Sequence, residues 1–381
     1  MSSQYYLSLG TGIHQLPLIE AAKKLKLKVI GVDQNAQSPG MAICDLKIQE
    51  SIYNYRKIFY KINSLLIDGE IVGGYSASFG KALLSWSYLA EKLRVGGISR
   101  PLMERLLDKY EVRKMLSEVH IKAPSFSQPK FIAGRSGIVK KQLNDIKGGF
   151  HAPYIVKPRS GWGKKDIYEI DDVKHFRKLF GKKNLIENGI LPSSFIIEEK
   201  IEGDEITVTG LVQNFCFIPV CVTDKITSKK APFIELEHRS PSKHFALLPQ
   251  IDAVHQEIVK TFNITDTPIV SEWKIKNNQL YLIEISAQIP GEFIAGFLIP
   301  KAMSYDFYKN LVKLTLGRNI DRPKDNLNAK PVVIKYFTEK IPQDEIVLIK
   351  KESSFFSILN ENPKVPPEGN HDRYAVAGYV G

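Results

Sequence analysis

Two glutamates on consecutive predicted strands are the residues of this sequence best suited to hold a metal ion. Glu272 and Glu284 lie within IVSEWKIKNNQLYLIEIS, where two β-rich runs flank a polar turn. Because side chains alternate between the two faces of a strand, the pairing register decides whether these carboxylates meet. A two-residue turn at Asn277-Asn278 places Glu272 opposite Ile283, and the two carboxylates then point to opposite faces of the sheet.

A three-residue turn at 277–279 places Glu272 opposite Glu284 instead. This register also creates one continuous apolar face, which is formed by Ile269, Trp273, Ile275, Tyr281, Ile283 and Ile285. The hydrophobic pattern fixes the register of a strand wherever one face of the sheet is buried. We therefore predict that the two carboxylates meet across adjacent strands.

A divalent cation is the partner that such a pair of carboxylates favours. Like charges directly opposite each other destabilise a sheet by up to about 1 kcal/mol, and a bound cation removes that cost. Mg²⁺ takes carboxylate oxygens while it keeps water and substrate phosphates as its other ligands. The alternative is that both carboxylates face solvent or pair with lysines such as Lys274.

A lysine followed by a glycine-containing loop is the second feature. Lys157 lies on the predicted strand YIVKP, and Ser160, Gly161 and Gly163 follow it in the segment SGWGK. Glycines let backbone N–H groups approach a phosphate closely, and a lysine supplies a point charge beside it. The spacing of a P-loop is absent, however, and Gly-x-Gly loops also occur in ordinary hairpins.

The third feature is an acidic run at a bend between two predicted strands. The segment FIIEEKIEGDEITV places five acidic residues within eight positions, namely Glu198, Glu199, Glu202, Asp204 and Glu205. A solvated hairpin turn is the default interpretation of such a charge run.

The elements that must position these residues begin with alternating strands and helices. Apolar runs at 5–9, 28–32 and 71–75 predict strands, and helical patterns occupy roughly 16–25, 52–66 and 79–93. This order predicts a parallel sheet covered by helices. The pattern of the residues after about 100 predicts a sheet-rich α+β region. Its helices are predicted at 101–117, near 172–180 and at 251–262. Its strands are predicted at 154–158, from 195 onwards, at 268–276, at 280–287 and in the tail.

Composition limits the classes of protein to consider. A chain of 381 residues is long enough for two or three domains. It has no apolar run of about 18 residues, which excludes a predicted transmembrane helix, and its start lacks the pattern of a signal peptide. Its three cysteines have no zinc or redox spacing, so we predict a cytoplasmic protein. The net charge of +12 is spread along the chain, which disfavours nucleic acid as a partner and suits a polyphosphate ligand equally well.

Taken in order, these segments resemble the ATP-grasp superfamily over about residues 1–320. LLDKYEVRKMLSEVHIKAPSF resembles the segment that opens the grasp, and the resemblance assigns Lys109 to the ATP phosphates. YIVKPRSGWG resembles the strand and phosphate loop, with Lys157 as the nucleotide lysine and Ser160, Gly161 and Gly163 in the loop.

The same resemblance assigns the acidic segment and the two strand glutamates. IIEEKIEGDE resembles the hinge that holds adenine, so that Glu198 and the backbone from Glu199 to Ile201 would meet the base and Glu205 the ribose hydroxyls. Glu272 and Glu284 match the magnesium carboxylates. The implied fold is a Rossmann-like domain over 1–100, a two-lobed ATP-grasp domain over 101–325 and a small C-terminal subdomain over 326–381.

Within the superfamily, the chain resembles carboxylate–amine ligases that join amino acids or peptides. The segment IELEHRSPS is similar to a stretch that lines their substrate site, and AQIPGEFIAGFLIPKAMSYDFYKNLVKLTLG is similar to the segment after their metal site. The resemblance implies ATP with Mg²⁺ or Mn²⁺ as cofactors. It also implies a small carboxylate and an amine as substrates, an acyl-phosphate intermediate, and a homodimer as one possible assembly.

Two positions depart from the family pattern Glu-x-Asn-x-Arg. Ser286 stands where an asparagine is usual, and we keep it as a third metal ligand although its hydroxyl is a poorer one. Gln288 replaces the arginine, so the cation that would hold an acyl phosphate is missing. Arg159, Arg239 and Lys301 are candidate substitutes. We take Lys157, Gln288 and Arg239 as the residues nearest to the chemistry.

Two other functions fit parts of the sequence. Gly10-x-Gly12 follows a strand and Asp33 ends the next one, which is close to the spacing of an NAD-dependent oxidoreductase. Gln15 stands at the third glycine position, however, where close packing of the helix against the strand requires a small residue. Ser286 and Gln288 also leave open a non-catalytic or weakly active ATP-binding protein.

Overall fold

A mixed α/β architecture is present, as the sequence predicts. The computed structural model describes residues 3–65, 68–127, 152–172, 174–175, 194–291, 293–323 and 329–381. Three sheets organise these residues. The helix predicted near 172–180 lies largely outside the described residues. None of the described helices is long and apolar enough to cross a membrane.

The first sheet is fully parallel and follows the predicted Rossmann-like order. Its strands run in the order β3-β2-β1-β4 and are β1 (Ser3–Leu9), β2 (Lys28–Asp33), β3 (Leu46–Gln49) and β4 (Gly69–Tyr75). The connecting helices are α1 (Leu16–Lys24), α2 (Tyr55–Ser64) and α3 (Lys81–Leu93). Apolar side chains of these strands and helices form the core of this lobe, so the alternating pattern alone was enough to predict it.

The loop after β1 is held in place by the side chains of Asp33, at the end of β2, and Gln15. The Asp33 carboxylate accepts hydrogen bonds from the backbone N–H groups of Thr11 (3.0 Å) and Asn35 (2.9 Å). Gln15 packs against Gly10 and donates from Nε2 to the Ala77 carbonyl at 2.7 Å. The acidic residue of the proposed dinucleotide motif therefore braces the loop, and this geometry gives the oxidoreductase interpretation no support.

The single helix predicted over 101–117 is two helices. They are α4 (Arg100–Leu106) and α5 (Lys109–Glu118). Asp108 caps α5, because its Oδ1 accepts hydrogen bonds from the backbone N–H groups of Tyr110 (2.9 Å) and Glu111 (3.4 Å). The prediction of one helix was wrong because Asp108 and Glu111 have the spacing of a capping box, which starts a helix. The break makes Lys109 the first residue of α5.

The remaining strands form two antiparallel sheets. The smaller one, in the order β5-β8-β6-β7, contains β5 (Phe126–Ser127), β6 (Tyr154–Pro158), β7 (Tyr168–Ile170) and β8 (Phe195–Glu199). The larger one runs β13-β12-β9-β10-β11-β14-β16-β15. Its strands are β9 (Asp204–Gln213), β10 (Cys216–Thr227), β11 (Glu235–Ser240), β12 (Thr267–Lys276), β13 (Gln279–Ser286), β14 (Val332–Phe337), β15 (Phe355–Ile358) and β16 (Ala375–Val380).

The tail of the chain joins the larger sheet directly. β14 pairs with β11, where Glu237 lies opposite Lys335, and β16 and β15 continue the sheet outward. The helices of this region are α6 (Leu248–Thr261), α7 (Ile299–Met303), α8 (Phe307–Thr315) and α9 (Gln343–Glu352). The tail thus shares one sheet with the central region, while the boundaries at 100 and 325 stay predictions.

The β12–β13 hairpin reaches the predicted pairing by a different route. Its turn has two residues, Asn277 and Asn278, both with positive φ (50° and 58°). Glu272 nevertheless lies opposite Glu284, because a β-bulge at Ile283 shifts the register between Glu272 and the next residue. The predicted three-residue turn was wrong, and the predicted meeting of the two glutamates is confirmed. One extra residue in a strand has the same effect on register as one extra residue in the turn.

The bulge also changes which side chains of β13 face the core. Leu282 and Ile285 are buried, whereas Tyr281 and Ile283 are only partly buried. The predicted apolar face of β13 was therefore wrong at Tyr281 and Ile283, and it is confirmed at Ile285, which lies opposite Ser271. Alternation breaks at the bulge, where two residues oppose one residue on the partner strand.

Asn278 provides a test of this turn. Both turn residues have positive φ, which residues other than glycine and asparagine adopt at a cost of about 1–2 kcal/mol. We expect Asn278→Ala to lower the free energy of unfolding by about 1 kcal/mol in urea titrations. Asn278→Gly is the matched control, and its free energy of unfolding should equal or exceed that of the parent. A stability of Asn278→Ala equal to that of the parent would contradict the turn assignment.

Candidate active site

One cavity of about 340 Å³ lies between the smaller and the larger sheet. Lys109 at the start of α5, Lys157 on β6, Glu272 on β12 and Glu284 on β13 all line it. The structure therefore brings together two cations and two carboxylates that are up to 175 positions apart in the sequence. The cleft and the shared face on which the predicted metal site depends are both present.

The two strand glutamates are held by lysines from the opposite wall. Lys109 Nζ lies 3.6 Å from Glu284 Oε1, and Lys164 Nζ lies 3.3 Å from Glu272 Oε2. Burial alone raises the pKa of Glu284, but the charges of Lys109 and Lys157 outweigh it and lower that pKa to about 2. Glu284 is thus ionised at neutral pH, as a metal ligand must be.

This donor set fits magnesium bound together with a nucleotide. Among the residues that the structure describes, no group of three or more His, Cys, Asp or Glu side chains could hold a metal ion. Mg²⁺ is commonly held by one or two carboxylates while phosphates and water complete its octahedron. Glu272 and Glu284 meet that requirement, with lysines beside them to neutralise phosphate charge.

Lys157 belongs to a buried ion triad. Its Nζ lies 2.7 Å from Glu198 Oε2, and Arg113 Nε lies 2.8 Å from Glu198 Oε1. Burial raises the pKa of Glu198, but the charges of Arg113 and Lys157 lower it further than burial raises it. Because both carboxylate oxygens of Glu198 are engaged, this side chain positions Lys157. The predicted contact of the Glu198 side chain with a nucleotide base needs correction.

The predicted phosphate loop is tied to α5 and to the tail of the chain. Lys109 Nζ donates to the Gly161 carbonyl at 2.9 Å, and the backbone N–H of Asn370 donates to the Gly163 carbonyl at 2.8 Å. Gly163 has a φ of +69°, which only glycine adopts without strain. Ser160 is exposed and lies at the rim of a neighbouring pocket. The loop over 160–165 therefore lies along the cavity, as phosphate binding requires.

None of the predicted hinge residues Glu199, Ile201 and Glu205 is among the described residues that line this cavity. The backbone N–H of Glu199 donates to the Ser125 carbonyl at 2.9 Å, and the side chain of Ile201 is buried. Glu205 has one oxygen 3.2 Å from Lys225 Nζ and the other 3.0 Å from Lys274 Nζ. Both carboxylate oxygens of Glu205 thus pair with lysines. The role of Glu205 in binding a ribose stays a prediction.

Comparisons with known proteins agree with this geometry. Residues 150–295 match the family model of the ATP-grasp domain. Residues 150–295 are thus an ATP-grasp domain. The chain is 24% identical over 153 residues to D-alanine–D-alanine ligase from Petrotoga mobilis, and this match covers 37% of the chain and 48% of that ligase. The chain thus spans about half the length of this curated relative.

Solved structures resemble the whole chain in fold. The L-amino acid ligase from Bacillus licheniformis has a TM-score of 0.74 and 17% identity, with 100% of this chain and 94% of that chain covered. N5-carboxyaminoimidazole synthetase from Staphylococcus aureus, complexed with ADP, has a TM-score of 0.73 and 15% identity, with 99% and 93% covered. ATP with Mg²⁺ is the cofactor pair of ATP-grasp enzymes, and the donor set described above fits it.

The ATP-grasp cavity is completed by the end of the chain, which sequence reasoning missed. Asn370, His371 and Arg373 line it. Arg373 is only 4% exposed, and its Nη1 lies 3.8 Å from Glu235 Oε2. The only sequence signal is HDR just before the last strand, and no spacing rule connects it to the metal strands.

The residues proposed to replace the missing arginine lie elsewhere. Arg239 is 57% exposed and pairs with Glu237, and Arg159 pairs with the helix cap Asp108. Lys301 is exposed on α7. None of these three lines the ATP-grasp cavity. Assigning Arg239 near the chemistry was therefore wrong, because side chains on β11 alternate and its neighbour His238 takes the inward position.

Of the two departures from the family pattern, one reaches the cavity. Gln288 lines both the ATP-grasp cavity and the adjoining pocket. Ser286 is buried and lines the adjoining pocket but not the ATP-grasp cavity. Its role as a third metal ligand stays a prediction.

Lys225 is the buried centre of the charge network beneath the cavity. Its side chain is fully buried, and its Nζ lies 3.2 Å from Glu205 and 3.0 Å from Glu235 and also pairs with Glu272. Burial lowers the pKa of Lys225, but these carboxylates raise it well above its ordinary value of 10.5. One ammonium group thus holds three carboxylates together, including Glu272, one of the two predicted metal ligands.

Removal of the Lys225 charge tests this network. We expect Lys225→Met to lower the free energy of unfolding by roughly 3–5 kcal/mol, because it leaves buried carboxylates without their partner. Lys274→Met is the control, since Lys274 pairs only with Glu205 in this network and is partly exposed. Its effect in urea titrations should be clearly smaller. Equal losses of unfolding free energy in the two variants would contradict the assignment of Lys225 as the central cation of this network.

The pH dependence of stability tests Glu205. Burial raises its pKa, but Lys225, Lys164 and Lys274 lower it from 4.5 to about 2. A carboxyl group with a lowered pKa stabilises the fold above its unfolded pKa, and this stabilisation disappears as the pH falls through the folded value. The parent should therefore exceed Glu205→Gln in unfolding free energy by a constant amount above about pH 5.

Below that pH the two proteins should converge, and the difference should vanish near the folded pKa of about 2. Glu257→Gln, at an exposed position on α6, is the control and should follow the parent at every pH. A difference between Glu205→Gln and the parent that persists unchanged in acid would contradict the assignment.

Proposed function

We propose that this chain is an ATP-dependent carboxylate–amine ligase that forms an amide through an acyl phosphate. The observation that carries the proposal is the convergence of Glu272 and Glu284 with Lys109 and Lys157 on one cavity. Two carboxylates suit a magnesium ion, and the lysines suit the phosphates of the same nucleotide. The likeness to ligases in sequence and fold supports the same conclusion.

The reaction needs positioning and charge stabilisation more than a nucleophilic side chain. A carboxylate oxygen of the acid attacks the γ-phosphorus of ATP, and the bond to the bridging oxygen breaks to release ADP. The nitrogen of an amine then attacks the acyl carbon, loses a proton and displaces inorganic phosphate. Magnesium, when bound at Glu272 and Glu284, neutralises phosphate charge during the first step.

The chain supplies the remaining charge from four places, namely β6, the start of α5, the loop over 160–165 and the segment before β16. Lys157 is fixed by Glu198 and reaches the cavity from β6, while Lys109 reaches it from the start of α5. Lys164 belongs to the loop that covers the phosphates, and a metal ion that takes Glu272 would release it toward them. Position 288 is glutamine and not the family's arginine. Among the described residues that line the cavity, Arg373 is the arginine, so we assign to it the binding of the acyl phosphate.

Loop closure protects the intermediate from water. An acyl phosphate hydrolyses unless water is excluded, and the loop over 160–165 lies over the cavity where it would form. Contacts from Lys109 and Asn370 hold that loop in place.

A non-catalytic ATP-binding protein is the second candidate. The observation that favours it is the presence of Ser286 and Gln288 in place of two family residues. It differs from the ligase in one measurable respect, because it would bind ATP without forming ADP. A homodimer and a cytoplasmic location stay predictions for either function.

ADP and phosphate release over paired amino acids and small carboxylates tests the ligase. We expect ADP formation that depends on an acid, with an amide product only when an amine is also present. Glu284→Gln should lower kcat/KM by at least roughly a hundredfold, because it removes a metal carboxylate. Glu257→Gln is the matched control and should retain the parent rate.

Two results would oppose the proposal. ATP binding measured by calorimetry without ADP formation on any acid would favour the non-catalytic candidate. Normal ADP formation by Glu284→Gln would remove the metal assignment while leaving the fold untouched.

A further inference from the structure

A second pocket of about 240 Å³ adjoins the ATP-grasp cavity. It lies where α3, the junction of α4 and α5, and β13 meet. Its apolar walls are formed by Leu84, Leu106, Leu107, Val112, Ile283 and Ile285. Sequence analysis assigned none of these residues to a site. An apolar recess of this kind is a binding feature only if something of matching chemistry reaches it.

The pocket opens at the centre of the proposed chemistry. It shares five lining residues with the cavity, namely Lys109, Gly161, Trp162, Glu284 and Gln288. The shared residues include a metal carboxylate and a phosphate lysine. A substrate whose reacting group lies at Glu284 therefore has this recess directly beside it.

Four of the five charged side chains that line the pocket have partners, and the fifth, Lys81, is exposed. Arg113 pairs with Glu198 and donates to the Ile283 carbonyl, and Glu104 at the rim pairs with Arg100 at 3.0 Å. Lys109 is held by the Gly161 carbonyl and by Glu284. The pocket thus offers mainly hydrocarbon surface to an occupant, which favours an uncharged apolar group over a charged one.

The roof of the pocket belongs to the phosphate loop. Trp162 packs over Gly80, where an added Cβ would lie 2.7 Å from the indole ring. Gly80 also has a φ of +62°, so two independent constraints favour glycine there. The same loop therefore covers both the phosphates and the apolar recess, and a single closure encloses both.

We propose that this pocket receives the apolar side chain of the acid that is phosphorylated, so that the substrate class is an aliphatic or aromatic carboxylic acid. The inference rests on the proposed function. An apolar cavity of about 150 Å³ accommodates benzene, so the larger volume here admits a side chain the size of that of leucine or phenylalanine. The acid is the matching substrate because its carboxylate must lie at the γ-phosphate, next to Glu284.

Calorimetry with a series of acids tests the pocket directly. The protein is saturated with Mg²⁺ and a non-hydrolysable ATP analogue, and acetate, propionate, butyrate and 4-methylpentanoate are titrated into it. Each methylene that enters the pocket should lower Kd roughly fourfold. Binding of the longest acid should also show a negative heat-capacity change, which is the mark of apolar burial.

Leu84→Trp fills the pocket. It should abolish the decrease in Kd with each added methylene while leaving the affinity for acetate within about twofold. Leu93→Trp is the matched control, at a partly buried leucine on the same helix that does not line the pocket. Leu84→Ala enlarges the pocket and should shift the preference to phenyl-substituted acids. Circular dichroism confirms that each variant is folded.

The outcomes separate this inference from the proposed function. Equal affinity of the parent for all acids, or the same chain-length dependence in Leu84→Trp, would overturn the pocket assignment. Discrimination in binding without ADP formation on any acid would leave the pocket assignment intact and overturn the ligase.

Discussion

The opposition of Glu272 and Glu284 across two strands is the constraint on which the rest of the site depends. Two carboxylates directly opposite each other repel, and a sheet tolerates this only when cations lie close by. Lys109, Lys164 and Lys225 provide them from three different elements. The elements that surround the hairpin are therefore arranged by charge as well as by the burial of apolar surface.

The β-bulge is the local device that creates this opposition. A regular hairpin with the same two-residue turn would direct Glu284 to the face that Leu282 now shares with the core. Ile283 is the extra residue, and its carbonyl accepts a hydrogen bond from the buried Arg113. Arg113 also pairs with Glu198, which fixes Lys157. The bulge beside Glu284 and the buried Lys157 are thus linked through one guanidinium group.

The sequence predicts the parts of this fold that local patterns determine. Strand–helix alternation predicted the parallel sheet, and the matching apolar patterns of β12 and β13 predicted that the two glutamates meet, although the pattern fails on β13 at Tyr281 and Ile283. The position of the bulge could not be predicted, since parity alone does not distinguish an extra residue in the turn from one in the strand. The family pattern named the lysines and the carboxylates that line the cavity. It did not indicate Arg373, because that residue reaches the site through long-range pairing of β16.

The pairing of the tail with the central sheet affects how the protein becomes functional during synthesis. The cavity draws residues from position 79 to position 373, and β16 follows the last of them. A nascent chain can form the parallel sheet of the first lobe early, because its contacts are local. The cavity lining is complete only after residues 370–373 have been synthesised and β16 has paired with β14, and contacts of such long sequence separation form slowly. A nascent chain that stops short of residue 373 therefore lacks part of the cavity lining.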